Sequence, residues 1–233
     1  MSIPSVPERL YEEVAAEYYD ARLHPTSAYF RKASLNLVAR LIPPTGQGGT
    51  TIGDIGAGRT LLDEAGVTRL AKVCFAVDFS AGMLAHSEGS GVKMLRGRAQ
   101  ELPIRGGTCD LLVYSLADPY NELATWREAR RVLSDGGVAV VTMPTFEWAE
   151  AYRRVEGSPV HVSRFTLVDG RGIAARSNVL AREEQRDAFE SCGLRVECTE
   201  DFYFSGEEDV PKLKCSGLRP PFPVVRGWVC RIA

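Results

Sequence analysis

A glycine-rich turn at the end of a predicted strand is the feature that most restricts how this chain can fold. The segment Gly53–Gly58 reads GDIGAG and closes the strand predicted at Thr50–Ile55. Glycine residues allow the backbone to turn sharply and to approach a ligand closely. Predicted strands and helices then alternate along the chain, which is typical of a doubly wound α/β sheet.

The apolar character of the later strands supports this architecture. Val73–Asp78, Asp110–Ser115 and Val138–Met143 are almost continuously apolar, as expected for a parallel sheet that helices cover on both faces. The same patterns predict a strand at Val92–Arg96 and helices at Arg59–Ala65, Ala81–Glu88 and Glu122–Leu133.

Two helices are predicted before the sheet. The first begins at the capping box Ser5–Glu8, and the second covers Ser27–Leu41. A glycine-rich joint at Gly46–Gly49 follows, and such a joint is flexible. We therefore predict an N-terminal helical cap, acting as a lid, over residues 1–45 and a main domain over residues 46–233.

Beyond the fifth strand the regular alternation is lost. A helix at Phe146–Glu156 and a hairpin within residues 160–179 predict an insertion over about residues 144–180. Two terminal strands, at Leu194–Tyr203 and Val224–Ile232, have no predicted helix between them. This arrangement predicts an antiparallel hairpin that closes one edge of the sheet.

Charge and cysteine spacing exclude several classes of protein. The 28 Lys and Arg against 30 Asp and Glu give a net charge of −2, which argues against a dedicated nucleic-acid-binding protein. The apolar runs are far shorter than the ~18 residues of a membrane span, and the first residues lack a secretory signal, so a cytoplasmic protein is expected. The six cysteines lie far apart and there are only three histidines, so no metal site is predicted.

Two carboxylates near the glycine-rich turn indicate the charge of its ligand. Asp78 ends the second strand, where a carboxylate can accept hydrogen bonds from both ribose hydroxyls of an adenosine. Asp54 precedes the glycines Gly56 and Gly58 and would repel a pyrophosphate, while Leu61 stands where a dinucleotide motif has its third glycine. The charges therefore favour S-adenosylmethionine, a cationic adenosine ligand, over a nicotinamide dinucleotide.

Four segments of the chain, taken in order, match the motifs of a known enzyme family. They are Gly53–Gly58, Phe75–Leu84, Gly97–Ile104 and Glu128–Gly137. On these segments the chain resembles class I S-adenosylmethionine-dependent methyltransferases, in the broad family that includes the ubiquinone- and menaquinone-type enzymes. The resemblance implies a Rossmann-like, doubly wound seven-stranded sheet with a C-terminal antiparallel strand. The chain departs from the family pattern at Thr60, where a further glycine is common.

The resemblance also implies which residues bind the methyl donor and its product, S-adenosylhomocysteine. Phe79 and Met83 would flank the adenine, and Gln100, where the family often has an acidic residue, would meet its amino group. The predicted donor-binding residues are Asp54, Gly56, Ala57, Gly58, Asp78, Phe79, Met83, Ala99, Gln100, Ser115 and Leu116.

The acceptor is expected beyond the fourth and fifth strands and under the cap, because ligands of such sheets lie beyond the carboxyl ends of the strands. The arginines of the insertion form either a solvated face or the pocket of an anionic acceptor, and Arg164 is the first of them to test. The catalytic candidates are Tyr19, His24 and His161. The predicted acceptor-binding residues are Tyr19, His24, Asp118, Tyr120, His161 and Arg164.

These observations together predict an enzyme that transfers a methyl group from S-adenosylmethionine to an oxygen, nitrogen or carbon of a small molecule, as a monomer or a homodimer. Methylation of a nucleobase or protein, non-catalytic binding of an adenosine ligand on the same fold, and a dehydrogenase are the alternatives. Methyl transfer from a sulfonium mainly requires alignment of the acceptor and exclusion of water. The sequence therefore marks no single residue as the essential catalyst.

Overall fold

A mixed β-sheet forms the centre of the computed structural model, which describes residues 9–43, 50–204 and 222–233. Nine strands lie within these residues. In chain order they are β1 (Thr50–Ile55), β2 (Ala71–Asp78), β3 (Lys93–Arg96), β4 (Cys109–Tyr114), β5 (Leu133–Pro144), β6 (Val162–Thr166), β7 (Gly172–Arg176), β8 (Leu194–Phe202) and β9 (Val225–Ile232).

Seven of these strands form one sheet in the order β3-β2-β1-β4-β5-β9-β8. The first five along the chain are parallel, whereas β9 runs antiparallel to both β5 and β8. The strand order reverses between β1 and β4, and this switch is where ligands of open α/β sheets bind. The strands β6 and β7 form a separate antiparallel hairpin. The predicted doubly wound sheet with its C-terminal antiparallel strand is confirmed.

Helices cover both faces of the sheet. Among the residues described, no helix combines the length and apolar character that a membrane span requires. In chain order the helices are α1 (Arg9–Val14), α2 (Pro25–Leu41), α3 (Ala81–Ala85), α4 (Leu123–Val132), α5 (Phe146–Glu156) and α6 (Arg182–Glu190).

The helix α2 packs directly on the face of β5 and β9. Leu37 and Val38 are completely buried there. Leu41 lies so close to Gly227 of β9 that a Cβ at this glycine would be 2.3 Å from the Leu41 Cδ1 atom. The helix is therefore part of the main core, and it shares one hydrophobic cluster with strand residues such as Ile52. The predicted domain boundary falls at residues 44–49, outside the described residues, and stays a prediction.

The opposite face is filled by a row of aromatic side chains from α4, α6 and β9. The ring of Trp126 lies 4.8 Å from that of Phe189, which lies 5.7 Å from that of Trp228. The indole N–H of Trp126 donates a hydrogen bond of 2.9 Å to the side-chain oxygen of Asn121. These edge-to-face contacts fix the terminal strands against the parallel part of the sheet.

The predicted helix at Arg59–Ala65 is wrong, because tertiary hydrogen bonds hold this segment in turns. The Asp54 carboxylate accepts a hydrogen bond of 3.0 Å from the Leu61 amide. The Arg31 guanidinium donates to the Arg59 and Thr60 carbonyls at 3.2 and 3.3 Å. In a helix these two carbonyls would accept the first backbone hydrogen bonds, but here they accept hydrogen bonds from the Arg31 side chain of α2.

Other predicted elements differ at their ends. The helix predicted at Ala81–Glu88 stops at Ala85, because the next amides bond three residues back in turns that lead to Gly89, whose φ is 79°. The strand β5 begins earlier than predicted. The capping box at Ser5–Glu8 and the glycine-rich joint at Gly46–Gly49 lie outside the described residues.

Replacing Leu37 by alanine should lower the free energy of unfolding by about 2–5 kcal/mol, because it leaves a cavity between α2 and the sheet. The matched control is Asn36→Ala, at an exposed position of the same helix, which should change that free energy by less than about 0.5 kcal/mol. Urea denaturation of both variants provides the measurement. Equally small effects would show that α2 is not part of the folded core.

Candidate functional site

Two adjoining cavities lie beyond the carboxyl ends of the parallel strands. The large cavity has a volume of about 440 Å³ and borders the glycine-rich turn after β1 and the end of β2. The small cavity, of about 160 Å³, lies between the start of α2, α5 and the β6–β7 hairpin. The residues that line both cavities are Tyr11, Tyr18, Ser27, Leu116, Pro119 and Arg176.

The structure brings most of the predicted site residues to these two cavities, with two exceptions. Asp54 and His161 line neither cavity. From the predicted acceptor-binding set, His24, Asp118 and Arg164 line the small cavity. The large cavity is lined by Tyr19, Gly56, Ala57, Gly58, Asp78, Phe79, Met83, Ala99, Gln100, Ser115, Leu116 and Tyr120.

The glycine-rich turn requires glycine at two positions. Gly56 and Gly58 have φ values of 65° and 48°, in the left-handed region that glycine adopts without strain. A Cβ at Gly56 would lie 2.4 Å from the Tyr120 ring, and one at Gly58 would lie 2.2 Å from the Tyr19 hydroxyl oxygen. The turn is thus covered closely by two tyrosines and leaves its backbone as the wall of the large cavity.

Asp78 joins this turn to the next helix. Its carboxylate accepts hydrogen bonds from the Gly58 amide at 2.8 Å and from the Ser80 amide at 2.9 Å. Burial of the side chain raises the pKa of this carboxyl, although these amide donors act in the opposite direction. The carboxylate therefore sits at the cavity wall with its orientation fixed by the backbone on both sides.

Asp54 stabilises the segment behind the turn. Its side chain is completely buried, and one carboxylate oxygen accepts hydrogen bonds from the Thr60 hydroxyl at 2.7 Å and the Leu61 amide at 3.0 Å. The other oxygen, Oδ1, is buried without a hydrogen-bond partner. Burial raises the pKa of Asp54 to about 6, because a charged carboxylate is disfavoured away from water.

Residues 9–24, which include α1 and the turns after it, are attached to the large cavity by polar contacts. The Glu12 carboxylate accepts hydrogen bonds from the Ala81 and Gly82 amides at 2.6 and 2.9 Å, and so caps the start of α3. The Tyr19 hydroxyl accepts a hydrogen bond of 2.6 Å from the Arg59 amide. Burial raises the pKa of Tyr19 to about 12, so this phenol stays protonated at neutral pH.

His24 is held by a carboxylate at the edge of the small cavity. Its Nε2 atom lies 3.0 Å from Glu17 Oε1, and only 5% of the His24 side chain is exposed. Glu17 also accepts a hydrogen bond from the Val168 amide, in the turn of the β6–β7 hairpin. Because a carboxylate oxygen only accepts hydrogen bonds, Nε2 is the donor of this pair, and Nδ1 is the ring nitrogen that Glu17 does not contact.

The catalytic and acceptor-binding candidate His161 lies directly before β6, at the start of the β6–β7 hairpin. Its backbone φ is 64°, and its carbonyl accepts a hydrogen bond of 2.9 Å from the Ser177 amide. Burial, together with the charges of Arg153 and Arg176, lowers the pKa of the imidazole. The residue closes the base of the β6–β7 hairpin and does not line either cavity.

Glu122 is a cavity residue that the sequence analysis did not single out, and Arg176 is one of the insertion arginines that it left between a solvated face and an acceptor pocket. The Glu122 carboxylate accepts a hydrogen bond of 2.5 Å from Gln100 Nε2, and its other oxygen lies 3.4 Å from Arg176 Nη1. Glu122 lines the large cavity, whereas Arg176 lines both. No local motif marks these residues, because only the tertiary fold brings the β6–β7 hairpin to the start of α4.

Comparison with known proteins connects this site to one family. Residues 53–141 match the family model described as "Methyltransferase domain". A Malonyl-[acyl-carrier protein] O-methyltransferase of Hahella chejuensis is 32% identical over 143 residues, which cover 57% of this chain and 46% of that protein. This chain therefore spans less than half the length of that relative.

Solved structures with the same fold cover nearly the whole chain. A complex with the Haloferax volcanii Trm112 methyltransferase activator contains a chain that superimposes with a TM-score of 0.68, at 16% identity, over 98% of this chain and 97% of that one. The DhpI–SAM–HEP complex gives a TM-score of 0.65 at 21% identity, over 95% and 94% of the two chains. At these identities the likeness establishes the fold.

Replacing Asp54 by asparagine should change how stability depends on pH. Burial raises the pKa of Asp54 from 3.8 to about 6 in the folded state. The contribution of Asp54 to stability is therefore fully present below pH 3.8 and is lost as the pH rises through about 6. Asp54→Asn should remove this fall in the free energy of unfolding, which is on the order of 1–3 kcal/mol. Urea denaturation at several pH values across this interval measures it, and an unchanged pH slope would contradict the buried placement.

Proposed function

We propose that this chain, which carries a domain of the methyltransferase family over residues 53–141, transfers a methyl group from S-adenosylmethionine to a small-molecule acceptor. The observation that carries the proposal is the pair of adjoining cavities beyond the carboxyl ends of the strands. The large cavity would hold the donor and the small cavity the acceptor. The residues shared by the two mark the place where the substrates meet.

The large cavity fits the donor in size and charge. Its volume of about 440 Å³ lies within the range of about 300–1,000 Å³ that small ligands occupy. Asp78 lines it, and Asp54 lies buried behind the glycine-rich turn, close enough that the charge of Asp78 contributes to raising its pKa. Arg31, Arg59, Arg98 and Arg176 also line the cavity, together with Glu101 and Glu122. Beside the glycine-rich turn, however, Asp54 and Asp78 disfavour a pyrophosphate and suit a ligand that carries an ammonium and a sulfonium group.

The residues of this cavity can be assigned to parts of the donor. Asp78 would accept hydrogen bonds from the ribose hydroxyls, while the backbone of Gly56 and Gly58, which both line the cavity, would approach the methionine part. Phe79 and Met83 would enclose the adenine ring. The bound donor supplies a methyl group already activated on sulfur, so the chain has only to align the acceptor with it and to exclude water.

A proton must leave the acceptor when the acceptor atom is a hydroxyl or an ammonium group. Of the three catalytic candidates, His24 suits this task best, since it lines the small cavity and Glu17 orients its ring. Tyr19 faces the large cavity, and its raised pKa of about 12 makes the protonated phenol a hydrogen-bond donor at neutral pH. We therefore assign proton removal to His24 and closure over the donor to Tyr19.

Removal of the Asp78 carboxylate should weaken donor binding without unfolding the protein. Each charged hydrogen bond that is lost costs about 1.5–3 kcal/mol, which corresponds to a rise of roughly ten- to 150-fold in Kd. Isothermal titration of S-adenosylmethionine into Asp78→Ala and Asp78→Asn measures this rise. The asparagine variant keeps an acceptor for the Gly58 amide and so separates donor binding from the stability of the turn.

The control for this titration is Asp135→Ala, at an exposed position that lines neither cavity. The donor affinity of this variant should equal that of the unchanged protein. The same titration with a nicotinamide dinucleotide tests the dehydrogenase alternative. Tighter binding of the dinucleotide than of S-adenosylmethionine, or wild-type affinity in Asp78→Ala, would exclude the proposed donor site.

Residues 9–24 should move over the donor as a lid. Leu10, Val14 and Ala15 anchor this segment by burial, whereas its residues Tyr11, Tyr18 and Tyr19 line the large cavity. Backbone amides of residues 9–24 should exchange with solvent more slowly when S-adenosylhomocysteine is bound, because the lid then opens less often. Hydrogen exchange read by mass spectrometry provides the measurement, with α6 as an internal control that should not change. Equal exchange in both states would show that this segment is not a lid.

A further inference from the structure

The small cavity carries an excess of positive charge. Its charged lining residues include three arginines, Arg153, Arg164 and Arg176, against one carboxylate, that of Asp118. Arg164, the arginine that the sequence favours, is exposed on β6. Arg153, on α5, is the buried one, with 9% of its surface exposed. A buried guanidinium is costly unless an anion or several acceptors compensate its charge.

The described residues compensate Arg153 only in part. Its Nη2 atom donates a hydrogen bond of 2.7 Å to the Ser177 carbonyl, and no other hydrogen bond of this guanidinium is found among the residues that the structure describes. Asp118 and Glu150 are the carboxylates whose charges act on it, but Asp118 bonds the Ser177 side chain, and burial raises the pKa of Asp118 to about 6. Guanidinium N–H groups therefore remain for an anion that enters the cavity.

The other two arginines differ from Arg153, because Arg164 is exposed and Arg176 is paired with a carboxylate. Arg176 is paired with Glu122, with Nη1 and Oε2 3.4 Å apart, and lies where the two cavities join. Arg153 lines the small cavity but not the large one. An anion held by Arg153 would thus sit in the part of the small cavity that the large cavity does not share.

Aromatic side chains form a large part of the remaining wall of the small cavity. Phe30, Trp148, Tyr152 and Phe165 line it, and the rings of Phe30 and Trp148 meet edge to face with centroids 5.4 Å apart. The cavity volume of about 160 Å³ is close to the ~150 Å³ of an apolar cavity that holds one benzene ring. Aromatic walls of this size accommodate a single planar ring.

We infer that the acceptor is a single-ring carboxylic acid whose carboxylate is bound by Arg153 and whose methylated atom lies at the opposite end, at the junction with the large cavity. This inference rests on the proposed function, since it assigns the acceptor of that same reaction. A guanidinium holds a carboxylate through paired hydrogen bonds that an ammonium group does not reproduce. The methylated atom accordingly belongs to a second substituent of the ring and not to the bound carboxylate.

Benzoate and benzamide are the matched probes for this site, because they share one shape and differ in charge. With S-adenosylhomocysteine at saturation, benzoate should bind at least about tenfold more tightly than benzamide, as measured by ligand-observed NMR titration. Arg153→Met should abolish this preference. Arg153→Lys should retain part of it, and Arg154→Met, which alters the exposed neighbouring residue, should retain all of it.

Circular dichroism and the affinity for S-adenosylhomocysteine establish that each variant is folded. The inference is overturned if Arg153→Met keeps the preference for benzoate, if the unchanged protein shows no such preference, or if phenyl phosphate binds more tightly than benzoate. Should S-adenosylhomocysteine itself fail to bind the unchanged protein, the proposed function fails and the inference fails with it. A normal affinity for S-adenosylhomocysteine without the benzoate preference rejects the inference alone.

Discussion

A hydrogen bond from the Gly58 amide to the Asp78 carboxylate, 2.8 Å long, is the interaction on which the rest of the site depends. It ties the turn after β1 to the end of β2, and the second oxygen of the same carboxylate fixes the start of α3 through Ser80. Gly58 donates this bond from a backbone with a φ of 48°, which glycine adopts without strain. The Tyr19 hydroxyl accepts a hydrogen bond from the Arg59 amide, directly after this turn. The same bond therefore helps to position residues 9–24.

The two cavities are joined by a continuous set of polar contacts. Gln100 at the large cavity bonds Glu122, and Glu122 pairs with Arg176 at the junction. Through Glu122, the side chain of Gln100 is therefore connected to an arginine that also lines the small cavity.

The sequence predicted the elements whose signals are local. Apolar runs defined the parallel strands, and the glycine spacing at Gly56 and Gly58 located the ligand turn, because both depend on neighbouring residues alone. The segment after Gly58 could not be predicted, since its turns are fixed by Asp54 from within and by Arg31 from α2. Arg153 was likewise one of several arginines in the insertion, and only the packing of α5 on the hairpin shows that it is the buried one.

Strain at the junction of the cavities indicates which parts of the site are rigid. Leu116 has a φ of 52°, which costs a residue with a side chain roughly 1–2 kcal/mol. Its amide donates a hydrogen bond of 3.0 Å to the Thr142 hydroxyl, which itself lies 2.6 Å from the Ser34 hydroxyl on α2. This buried hydroxyl pair offsets the strain and fixes the end of β4 between the cavities. The floor of the site is therefore held by the core and by α2. Residues 9–24 belong to no strand of the sheet and contribute Tyr11, Tyr18 and Tyr19 to the lining of the large cavity, so we expect any opening of the site to occur in that segment.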